Sequence, residues 1–191
     1  MANHAINTVE PSAWRDRRDA HASPSALELT PKETLVTRKK PYADLTDLEK
    51  LQKQWHKLSR LHTREEWSAA IVRAATAAEI AANFAVRHEL AVRSNLDASF
   101  INHLLRWANG LAGKLDRLLV PLSVGDAKKH KKLKQLKALA EKVNSKRNAI
   151  AHQGEFCNEE EAKESIQHAR EFISDLVCLY EPTFVLKERK R

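Results

Sequence analysis

One stretch of the chain combines an arginine, an asparagine and a histidine, side chains that can bind a phosphate and transfer a proton. It continues an apolar row that recurs at spacings of three and four residues and consists of Leu133, Leu136, Ala140 and Val143. The next position of this row is Arg147, where the pattern predicts an apolar residue. A guanidinium on a buried row is costly unless it meets an anion or a carboxylate. Arg147 is therefore the first candidate for chemistry.

Two further polar residues follow Arg147 closely. Asn148 is the next residue, and His152 lies four residues after Asn148, which places these two on one helix face. Arg147 and His152 are about 140° apart around a regular helix, so they converge only if the last turn loosens. Gly154 is the type of residue that ends a helix at such a turn. The sequence thus predicts Arg147, Asn148 and His152 together at a helix end.

The segment from Arg147 to Gly154 resembles the Arg-x4-6-His motif of the HEPN family, in which a polar residue follows the arginine. Asn148 is that polar residue here. The motif also lies, as in that family, near the end of the penultimate bundle helix, before a final helix that starts at Asn158. The resemblance covers residues 63–182 and implies a four-helix bundle that dimerises. Many HEPN proteins are metal-independent ribonucleases of toxin–antitoxin, abortive-infection or RNA-processing systems, whereas others are non-catalytic binding or assembly modules.

RNA cleavage without a metal needs the residue types that this motif supplies. A histidine can take the proton of the 2′-hydroxyl or protonate the leaving 5′-oxygen, but one imidazole does not readily do both at once. A planar arginine can hold two phosphate oxygens. Two bundles related by a twofold axis would place two copies of Arg147 and His152 in one cleft. The resemblance therefore implies a composite site in a homodimer, with 2′,3′-cyclic phosphate and 5′-hydroxyl products. Asn148 would orient the histidine or bind a phosphate.

One departure from the family pattern concerns regulation. Some HEPN toxins carry a tyrosine two residues after the histidine, where an antitoxin attaches AMP. That position is Gly154 here, so control by modification of this tyrosine is not expected. An antitoxin protein of another type remains a possible partner.

Each site residue also has a structural interpretation. Arg147 could pair with Glu79 of the alanine-rich second helix, and that carboxylate could equally position a catalytic arginine. His152 could be a cation that the helix dipole favours at a C-terminus, and Asn148 an exposed polar residue. The alternative to a nuclease is accordingly a non-catalytic bundle of the same type that binds RNA or a protein partner.

A basic run at the start of the fourth predicted helix is the second candidate surface. Lys129, Lys131 and Lys132 are its predicted RNA-binding residues, since lysines there could follow a phosphate backbone. A solvated charged helix face is the competing interpretation.

The composition predicts an all-α protein. The 191 residues include 33 Lys+Arg against 25 Asp+Glu, a formal net charge of +8, and only 4 glycines. So few glycines argue against Gly-rich phosphate loops, β-sandwiches and barrels. The basic balance suits a polyanion such as RNA. Cys157 and Cys178 are too few for a disulfide framework or a structural zinc site, and we expect neither metal nor cofactor.

The first residues lack the apolar region of a secretory signal, and the most apolar stretch, 67–86, is interrupted by Arg73 and Glu79. We therefore expect no membrane span and a cytoplasmic setting.

The periodicity predicts an antiparallel up-and-down bundle of four to five helices over residues 43–186. The predicted helices span residues 45–61, 63–93, 99–119, 129–151 and 158–180. Thr63 and Glu66 form a Thr-x-x-Glu pattern that predicts a capping box for the second helix. Residues 1–42 are predicted to be a mobile segment with one short helix near Thr30, and residues 187–191 a solvated basic tail.

Overall fold

A computed structural model describes residues 40–188 of the chain. Residues 1–39 and 189–191 lie outside this part, so most of the predicted mobile segment and the short helix near Thr30 lie outside it too. The predicted all-α bundle is confirmed, and the part that is described contains helices and no strand.

Four long helices form the bundle, and α2 lies at its centre. They are α1 (Asp47–Thr63), α2 (Trp67–Arg93), α6 (Ala127–Gln153) and α7 (Glu159–Cys178). The helix α2 packs against α1, α6 and α7. Short connections join α1 to α2 and α6 to α7, as expected for antiparallel neighbours. Three short helices fill the connection between α2 and α6: α3 (Ala98–Trp107), α4 (Gly110–Lys114) and α5 (Val120–Leu122).

Small side chains on α2 allow its neighbours to approach closely. Its buried face is mainly alanine, including Ala70, Ala74, Ala77, Ala78, Ala81 and Ala85. Trp55 of α1 and Phe172 of α7 are the largest fully buried side chains against it. Among the described helices, α2 alone is long and apolar enough to cross a membrane, and 56% of its most apolar window is buried inside the bundle.

The prediction of one continuous third helix over residues 99–119 is wrong. The helix breaks after Trp107, and Gly110, the first residue of α4, adopts a left-handed φ of 71°. A wider π-type turn, Leu115–Leu119, then leads into α5. Trp107 is 56% exposed at this break, with the guanidinium of Arg117 5.3 Å from its ring centre.

The predicted capping box at Thr63 is wrong. The helix α1 continues through Thr63, and the capping box belongs to its own start, where the Glu49 N–H donates to Thr46 Oγ1 (3.2 Å) and the Thr46 N–H donates to Glu49 Oε2 (2.7 Å). Asn158 begins the last helix as predicted, and its side chain accepts a hydrogen bond from the Glu161 N–H at 2.9 Å.

The C-terminal boundary also differs from the prediction. Lys187 exchanges two backbone hydrogen bonds with the side chain of Gln52, at 2.7 and 3.0 Å. Glu188 accepts from the indole of Trp55 at 2.8 Å and pairs with Arg170 at 2.7 Å. The first two residues of the predicted solvated tail are therefore docked on α1 and α7.

We expect Gly113→Ala to destabilise the protein. A Cβ at Gly113 would lie 2.1 Å from the carbonyl oxygen of Ala108, a backbone atom that cannot rotate away. The free energy of unfolding should fall by about 1–3 kcal/mol in urea denaturation. Gly125→Ala is the matched control, because a Cβ there meets no atom within 4 Å. Equal denaturation midpoints for the two variants would contradict this account of the break between α3 and α4.

Candidate active site

The last turn of α6 is widened at its closing hydrogen bonds. Gly154 has a left-handed φ of 70°, and its N–H donates to the carbonyl of Ala149, five residues back. The Glu155 N–H donates to the same carbonyl at 3.2 Å. A regular α-helix closes over four residues. The predicted loosening is thus present, although α6 remains helical through Gln153.

The three predicted site residues lie together at this helix end. Arg147 Nη1 is 3.0 Å from Asn148 Oδ1 and 3.2 Å from His152 Nε2. Because a guanidinium only donates hydrogen bonds, Nε2 of His152 is the acceptor in this contact. The long arginine side chain therefore spans the angle that separates these positions on the helix.

The site is less buried than its apolar row predicts. Val143 is 1% exposed, but Arg147 and Asn148 are half-buried and His152 is exposed. The short helix α4 covers α6 near Asn144, since a Cβ at Gly110 would lie 3.7 Å from Asn144 Oδ1. The buried row ends at Val143, and the guanidinium of Arg147 lies at the edge of the core. Arg147 consequently remains available to an external anion.

The predicted pairing of Arg147 with Glu79 is wrong. Glu79 Oε1 lies 2.5 Å from Nζ of Lys114, whose side chain is only 5% exposed. Within residues 40–188, the side-chain hydrogen bonds of Arg147 go to Asn148 and His152. Glu79 thus neutralises a buried lysine of α4 and does not position the guanidinium. The sequence does not indicate that Lys114 pairs with Glu79, because its periodicity predicts one long helix over residues 99–119.

Lys146, which the sequence interpretation missed, fixes the loop that follows the site. Its Nζ contacts the carboxylate of Glu155 and lies 2.7 Å from Glu161 Oε1. These two carboxylates raise the pKa of Lys146 above its usual value. On the other side of the loop, the Cys157 N–H donates to Ser68 Oγ at 3.0 Å. The loop is therefore tied to α6, α7 and α2, and the end of α6 that carries His152 is held in place.

The three predicted RNA-binding lysines have different environments. Lys129 Nζ is 2.9 Å from Glu89 Oε1 and lies over the ring of Tyr180. Lys132 Nζ is 2.6 Å from Asp175 Oδ2. Lys131 is exposed and has no ion pair with another described residue.

Exposed lysines without such pairs form a basic surface at the start of α6. We call Lys128, Lys131 and Lys134 the α6 basic surface, since all three are exposed and none has an ion pair within residues 40–188. A shallow cleft of about 570 Å³ adjoins it, lined in part by His130 and Val124. No carboxylate of the described residues neutralises this positive charge within an ion pair.

The Arg–Asn–His cluster lies on an open surface. None of the three best-formed clefts in the described part of the chain includes Arg147, Asn148 or His152. The nearest in sequence, about 590 Å³ between α6 and α7, is lined by Lys146 and Ala149 instead. In residues 40–188, no three His, Cys, Asp or Glu side chains are grouped as a metal ion would need. The cluster can bind an anion and exchange a proton, on a surface that another molecule could cover.

Comparison with protein-family models, with curated proteins and with solved structures finds no match to this chain. The class of protein that the fold and site define is an all-α bundle with an Arg–Asn–His cluster at the end of its penultimate long helix. Its resemblance to the HEPN family rests on that motif and its position.

Proposed function

We propose that this protein is a metal-independent endoribonuclease of the HEPN type that acts as a homodimer, as a toxin or antiviral-defence effector in the cytoplasm. The observation that carries the proposal is the contact of Arg147 Nη1 with His152 Nε2 at 3.2 Å. The two residues that could bind a phosphate and move a proton are thus adjacent, although they are far apart around a regular helix.

The geometry suggests how the substrate would activate the site. In the free protein, the lone pair of His152 Nε2 accepts a hydrogen bond from Arg147. An RNA phosphate competes for the guanidinium, because an anion is the stronger acceptor. Nε2 is then free to take the proton of the adjacent 2′-hydroxyl.

The remaining steps need a proton donor. The 2′-oxygen attacks phosphorus while Arg147 stabilises the added negative charge. The bond from phosphorus to the 5′-oxygen breaks, and that oxygen takes a proton from the imidazolium form of His152 of a second copy, which becomes neutral. The products are a 2′,3′-cyclic phosphate and a 5′-hydroxyl. An open cluster outside the clefts supports this proposal, because a second copy could complete the site.

The test is incubation of the purified full chain with RNA in excess EDTA. We expect fragments ending in 2′,3′-cyclic phosphate, and no cleavage of DNA of the same sequence, which lacks the nucleophile. Sedimentation should show a dimer under the same conditions. Intact RNA at a large excess of folded dimer, or cleavage of the DNA, would contradict the proposal.

The second candidate function is a non-catalytic bundle that binds RNA or a protein partner. The α6 basic surface favours it, because exposed lysines there could bind RNA without cleaving it. RNA that is bound with a steep salt dependence but never cut would support this function.

For the nuclease, the proposed inhibitor is an antitoxin protein that covers the open Arg–Asn–His cluster.

Replacing Lys131 and Lys134 by glutamine is expected to weaken RNA binding and its salt dependence. Each lost phosphate contact should reduce the slope of log K against log salt by about 0.7 for single-stranded RNA, or about 1.4 for the pair. Binding would be measured on a His152→Ala chain, so that the RNA stays intact. Lys132→Gln is the matched control, since Lys132 already pairs with Asp175. A change of slope in the control that is equal per lysine replaced, about half that of the pair, would show that these lysines contribute only net charge.

A further inference from the structure

Phe156 is an aromatic ring held in solvent beside the candidate active site. Its side chain is 92% exposed, the largest value among the exposed large hydrophobic residues of the described chain. It lies four residues after His152, at most about 14 Å along an extended chain. Exposure of so much apolar surface is unfavourable in the free protein.

The loop around Phe156 is fixed, so its exposure is not the result of a loose segment. On one side, Glu155 is bound by Lys146. On the other side, the Cys157 N–H donates to Ser68 Oγ at 3.0 Å, and the Cys157 side chain packs against the core. Both neighbours of Phe156 are held by contacts with the bundle, and the ring between them is exposed. The fold therefore presents this ring to solvent at a defined position.

The chemistry that a fixed, exposed ring recognises beside a phosphate-binding arginine is that of a nucleobase. Every base has a flat face that stacks on an aromatic ring, and proteins that bind single-stranded nucleic acid use this contact. Bases within a duplex are stacked on each other and offer no free face. A phosphate held by Arg147 would place the bases of neighbouring nucleotides within reach of the loop.

We propose that Phe156 is a nucleobase-stacking residue that makes unpaired RNA the preferred substrate of this site. This inference rests on the proposed function, because it requires RNA to bind at the Arg–Asn–His cluster. It adds a residue outside the motif, Phe156, that contacts a base of the substrate.

The test measures RNA binding by His152→Ala chains that also carry changes at Phe156. The probe is a short unstructured RNA, free or annealed to its complement. Phe156→Ala should weaken binding of the free strand by between about fivefold and about 150-fold, the range for loss of one base–aromatic stack. Binding of the duplex should not change. Phe156→Trp should restore affinity for the free strand, whereas Phe156→Leu should not.

Phe100→Ala is the matched control, since Phe100 is an aromatic of α3 that is 45% exposed. It should leave the affinity unchanged. Melting temperatures should agree among the Phe156 variants, because a side chain so exposed contributes little to stability. If the Phe156→Ala and Phe156→Leu chains bind the free strand as tightly as the chain that keeps Phe156, the inference is overturned. Dissociation of a dimer by Phe156→Ala with unchanged RNA affinity would also overturn it, because the ring would then be a protein contact.

Failure of this inference is distinguishable from failure of the proposed nuclease. RNA that stays intact in EDTA, but whose binding depends on Phe156, would remove the nuclease and keep the stacking residue. Cleavage with kcat/KM unchanged by Phe156→Ala would keep the nuclease and remove the stacking residue.

Discussion

RNA cleavage by a His152→Ala chain is expected to be about 10²- to 10⁴-fold slower than cleavage by the wild-type chain, the usual contribution of a general acid or base. The histidine is exposed and its Nε2 accepts from Arg147, so it can be removed without a loss of core packing. Arg147→Ala should lower the rate by about 10²- to 10³-fold, because it removes the donor that stabilises charge on the phosphate. Both rates would be measured in EDTA with one RNA substrate.

Two exposed residues of α3 provide matched controls for this experiment. His103→Ala and Arg106→Ala remove the same side-chain types from a different surface, and both should cleave at the wild-type rate. Arg147→Lys keeps the charge but loses the planar fork, so it should restore only part of the activity. Wild-type rates in the His152→Ala or Arg147→Ala chains, with melting temperatures unchanged, would show that the cluster is not the catalytic site.

Contacts within one helix could be predicted from the sequence, and contacts between helices could not. Arg147, Asn148 and His152 lie on consecutive turns of α6, so residue spacing and Gly154 were enough to bring them together. The pairs of Glu79 with Lys114 and of Lys146 with Glu161 join different helices. Such pairs depend on how the helices pack, which a single sequence does not specify.

Helix boundaries, like contacts between helices, could be predicted only in part from the sequence. Thr46 and Thr63 each begin a Thr-x-x-Glu pattern, and only the first forms a capping box. Local sequence cannot rank the two, because both have the same residue types at the same spacing, although α1 continues through Thr63. The break between α3 and α4 depends on the left-handed Gly110 and on the close approach of Gly113 to Ala108. The apolar residues keep their helical spacing across this break, so the sequence predicts one continuous helix there.

Glu89 is a buried carboxylate that holds three elements of the bundle together. It is 3% exposed near the end of α2. Its Oε1 accepts hydrogen bonds from Lys129 of α6 and from the hydroxyl of Tyr180, both at 2.9 Å, and its Oε2 accepts from Arg93 at 3.0 Å. Burial alone would raise the pKa of Glu89, but the hydrogen bonds from Lys129, Tyr180 and Arg93 more than offset it, so the pKa is lowered below its ordinary 4.5.

Glu89→Ala is expected to lower the free energy of unfolding by about 3 kcal/mol, because it leaves two cations and a hydroxyl without their shared partner.

Glu89→Gln removes the negative charge of this side chain but keeps its size, so it measures what the charge contributes to stability. A carboxyl whose pKa is lowered on folding stabilises the protein above its unfolded pKa and loses that effect as the pH falls through its folded pKa. The difference between the wild-type and Glu89→Gln chains should therefore be constant in urea denaturation above about pH 4.5 and shrink below it. Glu171→Gln, at an exposed position of α7, should differ little from wild type near neutral pH. If the Glu89→Gln chain is as stable as wild type at neutral pH, the ionised carboxylate is not what joins α2 to α6 and Tyr180.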